Sequence, residues 1–159
     1  MRIFHYSVAR YLPQILKDKM ILPTTVGLEK ERWHAVWFST NSIWEETANK
    51  MYLNSGIRIP GNKCDTHELG KGLMRIEVVP KAAPHNWEQY KSISKIPGKL
   101  SRSILRTAKD CGADPNEWRA SFEPVLQRDW LSVELFNWDD QVWEDSLTAY
   151  KRLERMQEE

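Results

Sequence analysis

The order of short apolar runs along the chain constrains its fold more than any other feature. Runs typical of strands occur at residues 2–7, 35–39, 73–79, 117–122, 130–136 and 141–143. Segments with helical periodicity separate the early runs, whereas only turns separate the last three. Strands that are joined by short turns pair in the antiparallel sense. The order therefore predicts an α+β fold with antiparallel pairing toward the C-terminus.

Two capping signals predict where the first helices begin. Ser7 can cap a helix over residues 8–19, in which Pro13 delays or kinks the first turn. The segment Ser42-Ile43-Trp44-Glu45 has the S-x-x-E form of a capping box. It predicts a second helix that runs to residue 50 or a few residues beyond.

The rest of the chain is expected to contain a surface loop and three more helices. Residues 54–72 are rich in glycine and proline turns and read as an extended loop. Helices are expected to begin near residue 86 and at residues 101–103, and a charged amphipathic helix is expected at residues 145–159. No linker or repeat divides the chain, so residues 1–159 are expected to form a single domain.

The charge balance and the spacing of ligand residues argue against several classes of site. The 23 Lys and Arg residues nearly match the 22 Asp and Glu residues, and a net charge of +1 gives no overall attraction to nucleic acid or to an anionic membrane. The four histidines lack the i, i+4 spacing of a helical metal site, so no metal is expected. Two isolated cysteines favour a reducing compartment. No apolar stretch approaches the ~20 residues of a membrane span, so we expect a cytoplasmic protein without a membrane partner.

Three short segments combine polar and aromatic side chains at the ends of predicted strands. They are Phe4-His5-Tyr6-Ser7, Trp37-Phe38-Ser39 and Asn116-Glu117-Trp118. The second segment is followed later in the sequence by Thr47-Ala48. Taken singly, each has an ordinary explanation. A lone histidine is more often a structural hydrogen-bonding group than a catalytic one, and a glutamate at a strand entry is usually solvated.

Taken in order, the three segments resemble the catalytic motifs of the ADP-ribosyltransferase fold, in its His–Tyr–Glu branch of poly(ADP-ribose) polymerases and diphtheria-toxin-like enzymes. That family carries His-Gly-Ser or His-Gly-Thr on a first strand, an aromatic pair with a small residue on a second, and Asn-Glu-Tyr at a third. The resemblance spans residues 3 to about 136 and implies a split antiparallel sheet with flanking helices. Tyr6 replaces the family's glycine and Trp37 replaces its tyrosine.

The resemblance implies that NAD is a co-substrate and that no metal takes part. Glu117 and His5 would be the catalytic residues, with the carboxylate stabilising an oxocarbenium-like sugar. His5 would hold the ribose, Ser7 would bind the nicotinamide amide, and the Trp37 ring would stack on the nicotinamide. The residues expected to contact NAD are His5, Tyr6, Ser7, Trp37, Phe38 and Ser39.

Other residues compete for two of these roles, and in one alternative the ring that stacks on the nicotinamide is that of Tyr6 or Phe38 instead of Trp37. Glu123, Glu134 and Glu77 are alternative positions for the catalytic carboxylate, although the neighbours of Glu117 favour it. A pyrophosphate group would need cations, and three basic residues near the first helix are candidates: Arg10, Lys17 and Lys19. For each of these residues taken alone, an exposed solvated side chain is the simpler explanation.

Three functions stay open at the level of the sequence. The first is transfer of ADP-ribose from NAD to an unidentified protein, nucleic acid or small molecule, in a toxin, a phage or defence factor, or a housekeeping enzyme. The second is removal of a 2′-phosphate from RNA on the same fold, which predicts Arg and Lys clustered around the cleft. The third is a non-catalytic binding or inhibitor protein, which the changes at Tyr6 and Trp37 favour.

Overall fold

The computed structural model describes residues 1–25 and 27–158 of the chain. Its α-helices are α1 Leu12–Asp18, α2 Lys63–Leu69, α3 Trp87–Ser94, α4 Gly98–Cys111 and α5 Ser146–Glu158. Its strands are β1 Ile3–Val8, β2 Met20–Ile21, β3 Val36–Ser39, β4 Met51–Asn54, β5 Ile57–Pro60, β6 Leu73–Val78, β7 Trp118–Ser121, β8 Val125–Leu126, β9 Trp130–Asn137 and β10 Val142–Asp145. Residue 159, which the expected terminal helix included, lies outside the described residues.

Six of these strands form one antiparallel sheet in the order β10-β9-β6-β1-β3-β7. The predicted α+β class with an antiparallel sheet is therefore confirmed. The N-terminal strand β1 lies in the interior of the sheet, between partners that come much later in the sequence. None of the helices in the described ranges is long and apolar enough to cross a bilayer.

The ladder between β1 and β3 has the fewest residue pairs of any in the six-stranded sheet. Strand β1 pairs with β6 through six residue pairs, but its ladder with β3 consists of the single pair Phe4–Ser39. Strand β3 then pairs with β7 along its whole length. The sheet thus divides into a large part that ends at β1 and a small part formed by β3 and β7. We call the space between β1 and β3 the fork.

Apolar side chains cover both faces of the sheet because neighbouring residues of a strand point to opposite sides. On one face, Ile3 packs with side chains of β3 and β6 and with Leu12 of α1. On the other face, Phe4 packs with Tyr6 and Trp44. A third apolar cluster joins α3 and α4 to β7, and Trp87, Tyr90 and Trp118 form its aromatic centre.

The expected helix at residues 42–50 is wrong. Only a single 3₁₀ turn forms, at Glu46–Ala48, and β4 follows it. The Glu45 carboxylate reaches forward to Thr47 instead of back to the helix start, and the Ser42 carbonyl accepts a hydrogen bond from Arg75 Nη1 at 2.6 Å. Contacts with distant residues therefore replace the local capping pattern.

The expected loop at residues 54–72 is also wrong in part. Strands β4 and β5 form a hairpin whose turn residues, Ser55 and Gly56, both have positive φ, as a two-residue type I′ turn requires. Helix α2 follows, with a capping box between Asn62 and Asp65. Ser7 does not cap a helix either, because it belongs to β1, and α1 begins at Leu12 with Pro13 in its first turn.

Candidate functional site

A cavity of about 710 Å³ lies at the fork, and β1 and β3 both contribute to its wall. The other wall residues come from α1 and the turn before it, β2 and the segment after it, α3, α4, the segment after β3 and the first residue of β7. Cavities of roughly 300–1,000 Å³ hold small organic ligands in proteins. Among the wall residues are all those expected to contact NAD: His5, Tyr6, Ser7, Trp37, Phe38 and Ser39. Residues grouped by sequence alone are thus neighbours in space.

The His5 imidazole bridges the fork. Its Nδ1 lies 2.9 Å from the Trp37 carbonyl oxygen, and a carbonyl only accepts, so Nδ1 carries the proton. Burial lowers the pKa of His5 below 6.5, the hydrogen bond to Trp37 opposes this change, and the Lys50 charge adds to it. The ring is therefore neutral at neutral pH. Its Nε2, which no group in the described chain bonds, can accept a hydrogen bond from a ligand hydroxyl.

Two serines line the cavity in different ways. Ser7 follows His5 by two residues on β1, and its hydroxyl has no hydrogen-bond partner among the described residues. Ser39 is fully buried at the end of β3, where its hydroxyl accepts a hydrogen bond from the Asn41 N–H at 3.1 Å. The Ser7 hydroxyl is therefore available to a ligand, whereas Ser39 shapes the turn that follows β3.

Aromatic rings form one wall of the cavity. The Trp37 ring lies edge-on to Tyr90 with ring centroids 4.5 Å apart, and Trp87 and Trp118 lie 6.1 Å and 6.2 Å from it. The Trp87 Nε1–H is buried without a hydrogen-bond acceptor in the described chain. Flat apolar faces of this kind suit a planar ring such as a nicotinamide or a nucleobase.

Tyr6 and Phe38 belong to the core as much as to the cavity. The Tyr6 hydroxyl donates to the Asn41 carbonyl, and burial raises the pKa of Tyr6 to about 12. Phe38 is almost fully buried and meets the His5 ring edge-on. These two side chains hold the fork in shape, and the hydroxyl proton of Tyr6 is already used in the bond to Asn41.

Glu45 is the buried carboxylate of the cavity, with an exposed fraction of 8%. Its Oε1 accepts hydrogen bonds from Trp118 Nε1 at 3.1 Å, from the Thr47 hydroxyl at 2.6 Å and from the Thr47 N–H at 3.3 Å. Its Oε2 accepts none from the described chain. One oxygen thus anchors the side chain and the other is left for a ligand. A second wall carboxylate, Asp18, is half-buried and accepts from Gln14.

Glu117, the expected catalytic carboxylate, is not among the described residues that line the cavity. It ends a 3₁₀ turn before β7, and its backbone carbonyl accepts a hydrogen bond from the Thr40 N–H at 2.9 Å. The next residue, Trp118, lines the cavity in its place. The alternatives lie elsewhere as well, since Glu134 pairs with Arg75, Glu77 pairs with Arg2, and Glu123 is exposed.

Lys50 is the cation of the cavity wall. Its Nζ lies 5.6 Å from the centre of the Tyr11 ring, and its charge is close enough to lower the pKa of His5. The candidate pyrophosphate ligands near the first helix, Arg10, Lys17 and Lys19, are not among the wall residues. Arg10 donates to the Leu69 carbonyl instead.

Helix α4 brings further cations close to the cavity. Ser103, Ile104 and Thr107 of this helix line the wall. Four exposed cations lie on the same helix, and we call them the α4 cation row: Lys99, Arg102, Arg106 and Lys109. In the described chain, no group of three or more His, Cys, Asp or Glu side chains is arranged to hold a metal ion.

Sequence reasoning missed Glu45, Lys50 and the α3 rings for identifiable reasons. Glu45 completes an apparent capping box, which gave it a local role that it does not have. No functional motif includes Lys50 or the α3 rings, and they reach the cavity only through the tertiary fold. Thr47-Ala48 was the one signal in this region, because the family pattern contains a similar pair, and both residues line the cavity.

The chain matches no protein-family model, no curated protein and no solved structure.

Proposed function

We propose that the protein binds NAD in the cavity and transfers its ADP-ribose group to an acceptor. One observation carries the proposal: a single cavity holds His5, Glu45 and Ser7 beside the Trp37 ring, and each of the first three has a polar side-chain atom that no described residue bonds. The resemblance to ADP-ribosyltransferases implies the imidazole, the hydroxyl and the aromatic face at these positions. It implies a carboxylate as well, but at Glu117, and the cavity offers Glu45 instead. The divided antiparallel sheet also agrees with that resemblance.

The nicotinamide end of NAD fits the aromatic wall. The Ser7 hydroxyl can bond the carboxamide, while Trp37 stacks on the ring. The neutral His5 ring would accept a hydrogen bond from a ribose hydroxyl at Nε2, because Nδ1 already donates to Trp37. Lys50 supplies a positive charge for the pyrophosphate.

Glu45 is the carboxylate best placed to act on the sugar. Transfer breaks the bond between ribose C1 and the nicotinamide nitrogen, the electron pair leaves with nicotinamide, and positive charge develops on the sugar. Glu45 is buried, and its Oε2, which no described residue bonds, can stabilise that charge. The acceptor's nucleophile then bonds to the same carbon, and its proton passes to Glu45 and on to solvent.

The experiment is to follow nicotinamide release from NAD by wild type, Glu45→Gln and Glu117→Gln, with and without cell extract as the source of acceptor. Glutamine at position 45 still accepts from Trp118 and Thr47, so the variant removes the charge and keeps the anchor. We expect a loss of about 10²–10³-fold in kcat for Glu45→Gln, the size seen when one preorganised stabilising group is removed.

The Glu117→Gln variant is the matched control, and we expect it to retain activity near that of wild type. A wild-type protein that releases no nicotinamide above background, even with extract, would contradict the proposal. Loss of release in Glu117→Gln alone would keep the function and move the carboxylate role to Glu117.

The α4 cation row favours a second candidate, removal of a 2′-phosphate from RNA, because that reaction needs cations beside the cleft. The two candidates differ in their RNA product. Incubation of a 2′-phosphorylated oligoribonucleotide with protein and NAD, followed by mass spectrometry, separates loss of a phosphate from gain of ADP-ribose.

A further inference from the structure

Positive charge is concentrated in one short part of the chain. Residues 89–109 contain six Lys and Arg residues and no Asp or Glu, although the whole chain carries 23 and 22 of these types. The rest of the chain therefore has more acidic than basic residues. The near-neutral total conceals a basic segment, which ends in helix α4.

The spacing of the α4 cation row puts its members on one side of the helix. Lys99, Arg102, Arg106 and Lys109 follow one another at intervals of three or four residues, and these intervals keep side chains on one face. The row spans about 15 Å at 1.5 Å per residue. All four side chains are exposed, and none forms an ion pair within the described residues.

A row of hydroxyl residues lies between these cations and the cavity. Ser103 and Thr107 are one residue along from Arg102 and Arg106, and they line the cavity wall. Proteins commonly use Lys, Arg, Ser and Thr side chains to donate hydrogen bonds to the phosphate oxygens of a nucleic-acid backbone. A strand held on the row would therefore run past the rim of the cavity.

The chemistry of this face favours nucleic acid over the other anionic partners. The exposed residues of α4 are Gly98, Lys99, Arg102, Ser103, Arg106, Thr107, Lys109 and Asp110, so the face offers no large apolar side chain. A helix that lies on a membrane needs such side chains to insert, and a protein interface needs them as anchors. A phosphate backbone needs only cations and hydrogen-bond donors.

We propose that the α4 cation row binds the phosphate backbone of a single-stranded nucleic acid, and that this strand is the acceptor of ADP-ribose. A single strand is favoured because its bases and sugars can reach the cavity without the unpairing and unstacking energy that a duplex would cost. The second half of this inference rests on the proposed function: a nucleophilic nitrogen or oxygen of the strand bonds to ribose C1, nicotinamide leaves with the electron pair, and the nucleophile's proton goes to Glu45.

The binding test needs no NAD. Fluorescence anisotropy with labelled single-stranded DNA and RNA of the same sequence gives the affinity of wild type over a range of salt concentrations. Four phosphate contacts predict a slope of about −3 in a plot of log K against log salt, at −0.7 per contact for single strands. A variant with all four cations of the row changed to glutamine should lose most of this slope.

The control variant changes four exposed cations outside α4 to glutamine, two Lys and two Arg as in the α4 variant. They are Lys17, Arg32, Lys71 and Arg128. It should bind like wild type. The proposal would be overturned if the two variants bound equally, or if the binding of wild type did not depend on salt. It would also be overturned if the α4 row bound phosphatidylserine vesicles or poly-glutamate in preference to both nucleic acids. A preference between DNA and RNA identifies which of the two is bound.

The transfer test adds NAD and detects ADP-ribose on the oligonucleotide by mass spectrometry, with nicotinamide release measured in parallel. We expect modification by wild type and by the control, and loss of modification in the α4 variant while basal nicotinamide release is retained. Nicotinamide release without modification of a bound oligonucleotide would overturn the acceptor assignment. Absence of nicotinamide release would instead count against the proposed function, and the binding result would still decide the role of α4.

Discussion

At the scale of single residues, the cavity is distinguished by polar atoms that lack partners. His5 Nε2, Glu45 Oε2 and the Ser7 hydroxyl belong to side chains that line the same cavity, and none of them has a hydrogen bond from the described chain. None of the three is among the buried side-chain atoms that lack a partner in the described chain, so each stays accessible to solvent or to a ligand. A ligand that pairs with them gains affinity from bonds that the protein does not form alone.

The pH dependence of stability tests the environment of His5. Because the fold lowers the pKa of His5 below 6.5, the folded state resists protonation that the unfolded state accepts. The contribution of the neutral ring is complete above pH 6.5 and declines as the pH falls below that value. Urea unfolding at pH 7.5 and pH 5 should therefore show that wild type loses more stability than His5→Asn, which does not titrate.

Asparagine is the matched replacement because its amide N–H can take the place of Nδ1 and donate to the Trp37 carbonyl. Comparing the two proteins cancels the titration of every other group. An equal loss of unfolding free energy in both would contradict the lowered pKa of His5.

The predictability of the site differs from residue to residue. His5, Ser7 and Trp37 belong to short motifs at strand ends, and those motifs were enough to group them. Glu45 was hidden by its own neighbours, because Ser42-Ile43-Trp44-Glu45 satisfies a local pattern that the folded chain does not use. The bond from Trp118 to Glu45 joins residues 73 positions apart, and no local pattern predicts such a contact.

At the scale of elements, helix α3 supplies the aromatic wall, and its start is set by a capping box. Asn86 accepts from the Gln89 N–H at 2.9 Å, and the Gln89 side chain accepts from the Asn86 N–H at 2.9 Å. Asn86→Ala should lower the free energy of unfolding by about 1 kcal/mol, because it leaves an end N–H group unpaired. Urea denaturation measures this change.

Asn86→Asp is the control, since its carboxylate accepts the same hydrogen bond and is favoured at a helix start. We expect its stability to be near that of wild type. If the alanine variant were as stable as the aspartate variant, the capping box would not hold the helix.

Helix α3 also illustrates which elements the sequence predicts. Its start was expected near residue 86, and the helix is present at Trp87–Ser94 with Asn86 as its cap. The β4–β5 hairpin was not, because its strands are short and its side chains, such as Leu53 and Ile57, are largely exposed. Without a buried face, a strand has no clear alternation of apolar and polar residues to recognise.

At the scale of the whole molecule, Arg75 joins parts of the chain that are distant in sequence. Its Nε lies 2.7 Å from Glu134 Oε2, its Nη1 donates to the Ser42 carbonyl, and its guanidinium stacks on Phe4 and Trp143. Arg75→Met leaves the Glu134 carboxylate without its partner, so we expect a loss of about 3–5 kcal/mol in the free energy of unfolding.

The pair Arg2–Glu77 serves as the comparison, because it lies on the same sheet but the Arg2 side chain is 55% exposed. Arg2→Met should cost less than about 1 kcal/mol. The double variant Arg75→Met/Glu134→Leu should recover part of the loss, since it removes both charges. An Arg75→Met variant within about 1 kcal/mol of wild type would show that the pair contributes little.

The concentration of cations in residues 89–109 affects how the protein approaches a charged partner, before any contact forms. Since the remainder of the chain is richer in acids than in bases, the molecule is an electric dipole despite its net charge of +1. A dipole rotates in the field of an approaching polyanion, so productive orientation begins before the surfaces touch. The rate of association should therefore fall steeply with ionic strength, while the rate of dissociation should depend mainly on short-range contacts.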